Sequence, residues 1–399
     1  MKFPPIKHPT GIATPNKINR TVSYVLLLVG VLVAASCTRS NVAEPAPSSA
    51  PIESSYPTDR SLIEASSTCP DRKTMYVEHY TCLGETLLDT LSTNGPDAAF
   101  RSMHLLLKED PIAATACHQA AHFAGRSVAD LENIKNIILF EDGTCDFGMI
   151  HGMVEGLVRV PSDEEFYDQL ASVCTVAKPG IIRYNCAHGI GHALAIRTEG
   201  DIKQLMITCS NLQEEDQEGC TTAAAMAYTT EEASLSDDVV IDMPRLSDDE
   251  LSDLCKSAKS AAAPICWQMI GGMYEGDDSS FQSWAASACS KAAAVGYGDR
   301  CANGYGQALY FREGSSGDLS PENMDRVFDA ATDKCALPGL EVECVVGASG
   351  AAASFWSAER DSFDGYPALC DKYKEPIKSA CLIPEQQWRD NLASLNKGN

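Results

Sequence analysis

Residues 281–311 read FQSWAASACSKAAAVGYGDRCANGYGQALYF. The stretch contains an apolar-periodic segment that ends near Cys289, a short break with glycines, and an Ala- and Gly-rich segment of helical length that begins at Cys301. This order predicts two helices joined across a short turn, a helical hairpin. A disulfide between the end of the first helix and the start of the second would hold the hairpin closed.

The same unit recurs along the chain. Of the 17 cysteines, Cys37 lies in the N-terminal region, and fourteen of the other sixteen form close-neighbour pairs. Cys117 and Cys145 remain and are paired by elimination. No CxxC motif supports zinc knuckles, the competing use of paired cysteines. The predicted disulfides are Cys69–Cys82, Cys117–Cys145, Cys174–Cys186, Cys209–Cys220, Cys255–Cys266, Cys289–Cys301, Cys335–Cys344 and Cys370–Cys381.

Repeated helix pairs of about 30 to 45 residues predict an all-α fold, either an α-solenoid or a closed helical ring. The arrangement over residues 69–385 resembles the disulfide-stapled Sel1-like and tetratricopeptide-like repeat proteins, in which a cysteine that ends one helix bridges to one that opens the next. The likeness concerns architecture, since the regular Leu-Gly and Tyr pattern of those families is absent. It implies a scaffold that binds a protein partner on a concave face.

A longer sequence repeat is superimposed on the hairpin repeat. CAHGIGHALAIRTEG from Cys186 matches CANGYGQALYFREG from Cys301, and IHGMVEG at 150–156 matches IGGMYEG at 270–276. We interpret this as a duplicated block of three hairpins. The predicted organisation is an export signal at 1–37, a Pro/Ser/Ala-rich tether at 38–60, a first repeat block at 61–200, a second block at 201–315, and partial repeats at 316–399.

Histidine is confined to the first part of the chain. Five of the eight histidines, namely His118, His122, His151, His188 and His192, fall on second-helix segments of the first block. Their counterparts in the second copy are Thr221, Ala225, Gly271, Asn303 and Gln307. Because that copy keeps the glycines, alanines and cysteines of a packed hairpin, the fold does not require imidazole at these positions.

The spacing of these residues indicates a metal site. His118 with His122, His151 with Glu155, and His188 with His192 are i,i+4 pairs, which place both side chains on one face of a helix. Five imidazoles and one carboxylate could ligate a divalent transition metal such as zinc, copper or iron. Glu155 is also the candidate general base.

Other roles stay open for the same residues. Acid–base or ligand-binding work without a metal, and structural hydrogen bonding, are the alternatives for the five histidines. Glu275 occupies the position that matches Glu155 in the histidine-free copy, so Glu155 could instead form a structural pair with an arginine. His79 and His104 are expected to be hydrogen-bonded core residues or surface residues. The acidic stretch at 229–253 predicts solvated loops and helix caps.

The net charge of the chain indicates which partners it can bind, and its N-terminal sequence indicates where the protein is located. The net charge of −24 argues against a nucleic-acid partner. Basic residues, the apolar run at 24–35 and then Cys37 are typical of an export signal. AASC at 34–37 resembles the bacterial lipoprotein signal, which implies acylation of Cys37 and a membrane anchor at the periplasmic or cell-surface side. Ala34 departs from the larger aliphatic residue usual there, so plain secretion is the alternative.

The function predicted from the sequence is that of an exported, lipid-anchored protein with a histidine-rich transition-metal site, either a metal-dependent enzyme or a protein that stores or delivers metal. The alternative is a non-enzymatic helical-repeat scaffold that binds a protein or envelope component. The metal hypothesis requires at least three of the five imidazoles to converge, with ring nitrogens about 3 to 4 Å apart.

Overall fold

A computed structural model describes residues 60–71, 75–229, 232–236, 239–242, 246–259, 262–272, 278–314, 321–360 and 366–396. The predicted export signal, Cys37 and all but the last residue of the tether lie outside these ranges. None of the helices in the described ranges combines the length and apolar character needed to cross a bilayer.

The described chain is built almost entirely of α-helices, so the predicted all-α class is confirmed. They are α1 Ser61–Thr68, α2 Tyr76–Asn94, α3 Pro96–Glu109, α4 Pro111–Ser127, α5 Leu131–Ile137, α6 Gly148–Gly156, α7 Asp163–Val173, α8 Ile181–Arg197, α9 Ile202–Cys209, α10 Glu214–Thr229, α11 Asp248–Ser257, α12 Ala262–Gly272, α13 Asp278–Ala293, α14 Gly298–Glu313, α15 Pro321–Asp333, α16 Glu341–Arg360, α17 Tyr366–Cys370 and α18 Ile377–Asn396.

The acidic stretch departs from the helical pattern. Strands β1 (Glu232–Ser236) and β2 (Val239–Asp242) pair antiparallel within it. Three successive β-branched residues, Val239, Val240 and Ile241, favour a strand over a loop. After the strands, Ser247 caps α11, because its hydroxyl accepts from the backbone N–H of Glu250 and the Glu250 carboxylate accepts from the backbone N–H of Ser247.

Eight disulfides join the cysteines in the pairs that chain proximity predicts, with Cα–Cα distances of 5.2 to 5.8 Å. Seven of them join the two helices of one hairpin. The bond between Cys117 and Cys145 is different, because it ties α4 to the turn that leads into α6. Closing a loop of about 15 residues stabilises a fold by roughly 3 kcal/mol. So many disulfides indicate an oxidising compartment.

The described chain divides into two compact units, with the boundary inside α8. We call the part up to Cys186 the N-terminal unit and the part from Ala187 onward the C-terminal unit. In the N-terminal unit α4 packs against both α2 and α6. In the C-terminal unit α10, α12, α14, α16 and α18 pack in succession. The second helices of the hairpins therefore form the core of each unit.

These core helices touch backbone to backbone. A Cβ atom added at Gly152 of α6 would lie 2.1 Å from the carbonyl oxygen of His122 on α4. One added at Gly271 of α12 would lie 2.0 Å from the carbonyl oxygen of Cys301 on α14. Real Cβ atoms do not approach that closely, so glycine is required at both positions for the observed helix spacing.

The contact at Gly271 explains one difference between the two copies. Gly271 is the counterpart of His151, and its close approach to α14 leaves no room for a side chain. In the second copy the position serves helix packing, so an imidazole there would force two core helices apart.

We predict that Gly152→Ala destabilises the N-terminal unit by about 3 kcal/mol or more, because the new methyl group meets backbone rather than a flexible side chain. Gly272→Ala is the matched control. Its Cβ would make only ordinary contacts, 3.6 Å from the carbonyl oxygen of Gly304 and 3.7 Å from Ala308, so we expect a change within about 1 kcal/mol. Urea denaturation of the oxidised protein measures both, and equal effects would contradict the close-packing interpretation.

Glu141 is a buried carboxyl group just before α6. Its side chain is 4% exposed, and Oε1 accepts hydrogen bonds from the backbone N–H groups of Asp142 and Gly143, at 3.2 and 3.0 Å. Burial raises the pKa of Glu141 to about 8. The folded protein therefore holds a proton on this group at pH values where the unfolded chain has lost it.

Stability should accordingly fall as the pH rises from about 4.5 to 8, because the native state binds more protons than the unfolded state in that window. The loss attributable to Glu141 is up to about 5 kcal/mol. We predict that Glu141→Gln removes this component, so that the variant gains stability relative to the parent as the pH rises. Denaturation midpoints of the two proteins at pH 5.5, 7 and 8.5 test this, and a constant difference between them would refute it.

Candidate metal centre

Three of the five predicted histidines come together in the N-terminal unit. His118 and His122 lie on α4 and His151 lies on α6, and one ring nitrogen from each is within 4.8 Å of the others. The ring centroids are 4.5 to 5.6 Å apart. We call these residues the histidine triad. Such a group could hold a metal ion, and the rings would need to close by about 1 Å to bring the nitrogens to ligand spacing.

Helix packing places the triad. His118 and His122 are one turn apart on α4, so their side chains share a face. Helix α6 approaches this face at Gly148 and Gly152, where added Cβ atoms would meet the carbonyl oxygens of His118 and His122 at 2.4 and 2.1 Å. Each of these two glycines of α6 therefore contacts one of the two candidate ligands of α4. His151 lies between these two glycines in the sequence of α6, so its side chain lies beside His118 and His122.

Burial shields the triad from water. His122 is 6% exposed and His151 is 4% exposed, while His118 is half-buried. Buried imidazoles need hydrogen-bond partners, since an unpaired polar group in the core is costly. Each ring of the triad has one.

His118 is oriented by the backbone. Its Nδ1 donates to the carbonyl oxygen of Cys145 at 3.0 Å. Cys145, Asp146 and Phe147 have φ values of 54°, 50° and 62°, a left-handed turn that costs about 1 to 2 kcal/mol per residue for side chains other than glycine. The Cys117–Cys145 disulfide attaches this turn beside His118 itself.

His122 is oriented by a carboxylate. Its Nδ1 donates to Oε2 of Glu155 at 3.1 Å, and Nη1 of Arg126 donates to the same oxygen at 3.2 Å. Glu155 is 4% exposed. The sequence predicts Glu155 as a ligand and candidate general base. The structure instead places it behind His122 and paired with an arginine, and the group of metal-capable side chains does not include it.

Glu275, the sequence counterpart of Glu155, lies outside the described residues.

His151 is oriented by an amide. Its Nε2 donates to Oδ1 of Asn185 at 3.2 Å, and Nδ2 of Asn185 donates to the carbonyl oxygen of Ile181 at 2.9 Å. The second bond fixes which end of the amide faces His151. Sequence analysis did not identify Asn185, because a single amide beside a cysteine carries no recognisable spacing signal.

The remaining predicted ligands, His188 and His192, lie in the C-terminal unit. Their ring centroids are 4.8 Å apart, and His188 is 1% exposed. The group of three metal-capable side chains found among the described residues does not include them. In the second copy their places are taken by Asn303 and Gln307, whose side chains hydrogen-bond to each other at 3.0 Å.

The two isolated histidines serve different purposes. His79 is 4% exposed and Nδ1 donates to the carbonyl oxygen of Pro70 at 2.8 Å, as expected of a hydrogen-bonded core residue. His104 is about half exposed and pairs through Nε2 with Oδ2 of Asp142 at 2.7 Å.

Comparison with protein-family models, with curated proteins and with solved structures found no match. A functional conclusion for this chain therefore depends on the triad and its surroundings.

The hydrogen bonds predict the tautomer of each ring. His118 and His122 should carry the proton on Nδ1, whereas His151 should carry it on Nε2. Long-range 15N–1H NMR of the metal-free protein at pH 8, assigned with single His→Gln variants, distinguishes protonated from unprotonated ring nitrogens. An Nε2 proton on all three rings would contradict the observed partners.

Proposed function

We propose that this protein is an exported metal-binding protein whose N-terminal unit holds one divalent transition-metal ion through His118, His122 and His151. The observation that carries the proposal is the set of outer hydrogen bonds: each imidazole donates from one ring nitrogen to a different acceptor. The other nitrogen of a neutral ring then carries the lone pair. Metal-ligating histidines in proteins almost always have such a second partner.

The outer bonds specify the ligand atoms. In this proposal the ligand atoms are the ring nitrogens that do not donate in those bonds, namely Nε2 of His118, Nε2 of His122 and Nδ1 of His151. Three neutral imidazoles suit zinc, copper and iron, and leave further coordination positions open. The Glu155 carboxylate orients His122 and would supply negative charge beside a bound ion, and it is paired with Arg126.

An open position would hold water or a further ligand. Zinc in a three-histidine site lowers the pKa of bound water, which is the basis of metal-assisted hydrolysis. Storage or delivery of metal uses the same site without that step. Metal binding is common to both roles, and it is the property that we propose.

Export and anchoring are part of the proposal. The eight disulfides support an oxidising compartment. The basic N-terminus, the apolar run and Cys37 support export with lipid attachment at Cys37, which places the protein at the periplasmic or cell-surface side of a membrane. A purely scaffolding role, as the resemblance to Sel1-like and tetratricopeptide-like repeats implies, is the second candidate. The stack of disulfide-stapled hairpins favours it.

We predict one zinc ion per chain after reconstitution of the oxidised protein, and a loss of affinity of roughly 100-fold or more in His151→Ala, because the site loses one of three ligands. The matched control is the double variant His188→Asn, His192→Gln, which introduces the residues of the second copy and should keep the full zinc content. Elemental analysis after gel filtration, with circular dichroism to show that the variants are folded, measures both.

A parent protein that takes up no zinc, copper or iron would reject the metal hypothesis and favour the scaffold. Loss of metal in the control double variant alone would place the site in the C-terminal unit instead.

A further inference from the structure

The turn at 141–147, between α5 and α6, touches the histidine triad through two connections. The carbonyl oxygen of Cys145 accepts the hydrogen bond from Nδ1 of His118. The same turn leads directly into α6, which carries His151. The position of the turn therefore affects the positions of both His118 and His151.

This turn needs attachment to the rest of the fold. Three successive residues other than glycine, Cys145, Asp146 and Phe147, have positive φ, a conformation that L-residues rarely adopt in sequence. The disulfide to Cys117 holds the turn on one side. The Glu141 carboxylate holds its first residues from within the core.

A third attachment of the turn comes from α3, through the titratable imidazole of His104. Nε2 of His104 lies 2.7 Å from Oδ2 of Asp142 and 3.0 Å from Oγ1 of Thr144. Oδ1 of Asp142 accepts from the backbone N–H of Thr144 at 3.0 Å and from its hydroxyl at 2.5 Å. His104, Asp142 and Thr144 thus form a closed network, and Thr144 is the residue immediately before Cys145.

We propose that His104, Asp142 and Thr144 are positioning residues of the metal centre, and that loss of the proton from His104 loosens the turn and weakens metal binding at alkaline pH. The proposal rests on the proposed metal-binding function of the triad. It concerns a group that contacts none of the three proposed ligands.

The charges around His104 set the direction of the effect. The hydrogen bond to Asp142 raises the pKa of His104, against a smaller opposing effect of burial. Burial opposes ionisation of Asp142, but the hydrogen bonds from His104 and Thr144 outweigh it and lower the pKa of Asp142. Each group therefore favours its charged form more strongly than the free side chain does, and as the pH rises above the raised pKa of His104 the attraction is lost.

Other ionisable groups lie near the network. Glu141, whose pKa is raised to about 8 by burial, precedes Asp142 and acts on it electrostatically. On α3 itself, Arg101 is paired with Asp97, and Lys108 lies one turn after His104. Asp146, in the turn itself, also has a pKa raised by burial, which the charge of His118 opposes. Since Glu141 is the neighbour of Asp142, its contribution must be separated by a variant.

The expected pH profile differs from that of an ordinary histidine site. Protonation of ligand imidazoles weakens metal binding as the pH falls, and affinity then reaches a plateau once the rings are neutral. With the His104 network, zinc affinity should pass through a maximum and fall by about two- to fivefold toward pH 9, the range expected for loss of a partly exposed ion pair.

Zinc affinity is measured by competition with a chelator from pH 6.5 to 9.5. His104→Gln, which keeps a hydrogen-bond donor but does not titrate, should show no alkaline fall and should meet the parent curve at high pH. His104→Lys, which stays charged at pH 9, should also lose the fall but keep the higher affinity. Glu141→Gln should retain the fall.

Results that would overturn the proposal are an alkaline fall that persists in His104→Gln, or one that disappears in Glu141→Gln. A readout in the metal-free protein separates this proposal from the metal-binding one. Hydrogen exchange at the amide of Thr144, corrected for intrinsic rates, should speed up at alkaline pH in the parent and not in His104→Lys.

If the parent binds no zinc, the proposed function fails while the exchange measurement still reports on the network. If zinc binds but neither affinity nor exchange depends on His104, the positioning role is wrong and the metal site stands.

Discussion

Direct backbone contact between core helices sets the helix spacing within both units. At Gly152 and Gly271 the carbonyl oxygen of the neighbouring helix occupies the space that a Cβ atom would need. Helices that approach so closely gain many weak dispersion contacts and leave no gap between them. The disulfides then fix the outer helix of most hairpins to this core, which allows short helices to form a stable unit.

One position of the duplicated block, His151 in the first copy and Gly271 in the second, serves a different purpose in each copy. Gly271 allows α12 to touch α14, whereas His151 at the matching place presents a ring nitrogen to the triad and another to Asn185. The second copy therefore could not regain a ligand there by a single substitution without moving a core helix. Both copies keep a backbone contact at or next to this position, through Gly152 in the first and Gly271 in the second, and the first copy also holds an imidazole beside it.

The polar groups of the triad are stabilised by partners of three chemical kinds. A backbone carbonyl, a carboxylate and an amide each accept from one ring, at Cys145, Glu155 and Asn185. Burying His122 and His151 would be costly without these bonds. With them, each ring is held by a fixed partner, and one nitrogen of each lies within 4.8 Å of the others, an arrangement that could hold a metal ion.

Cysteine spacing and i,i+4 periodicity are local properties of the chain, so the sequence alone predicts the hairpin repeat, the all-α class, the eight disulfide pairs and the histidines of the candidate site. It could not separate His118, His122 and His151 from His188 and His192, since all five share the same local pattern. It also assigned Glu155 to the ligands and did not identify Asn185 or the left-handed turn at Cys145. Those distinctions depend on which helix faces which, and backbone contacts between residues about 30 positions apart, such as that of Gly152 with His122, decide them.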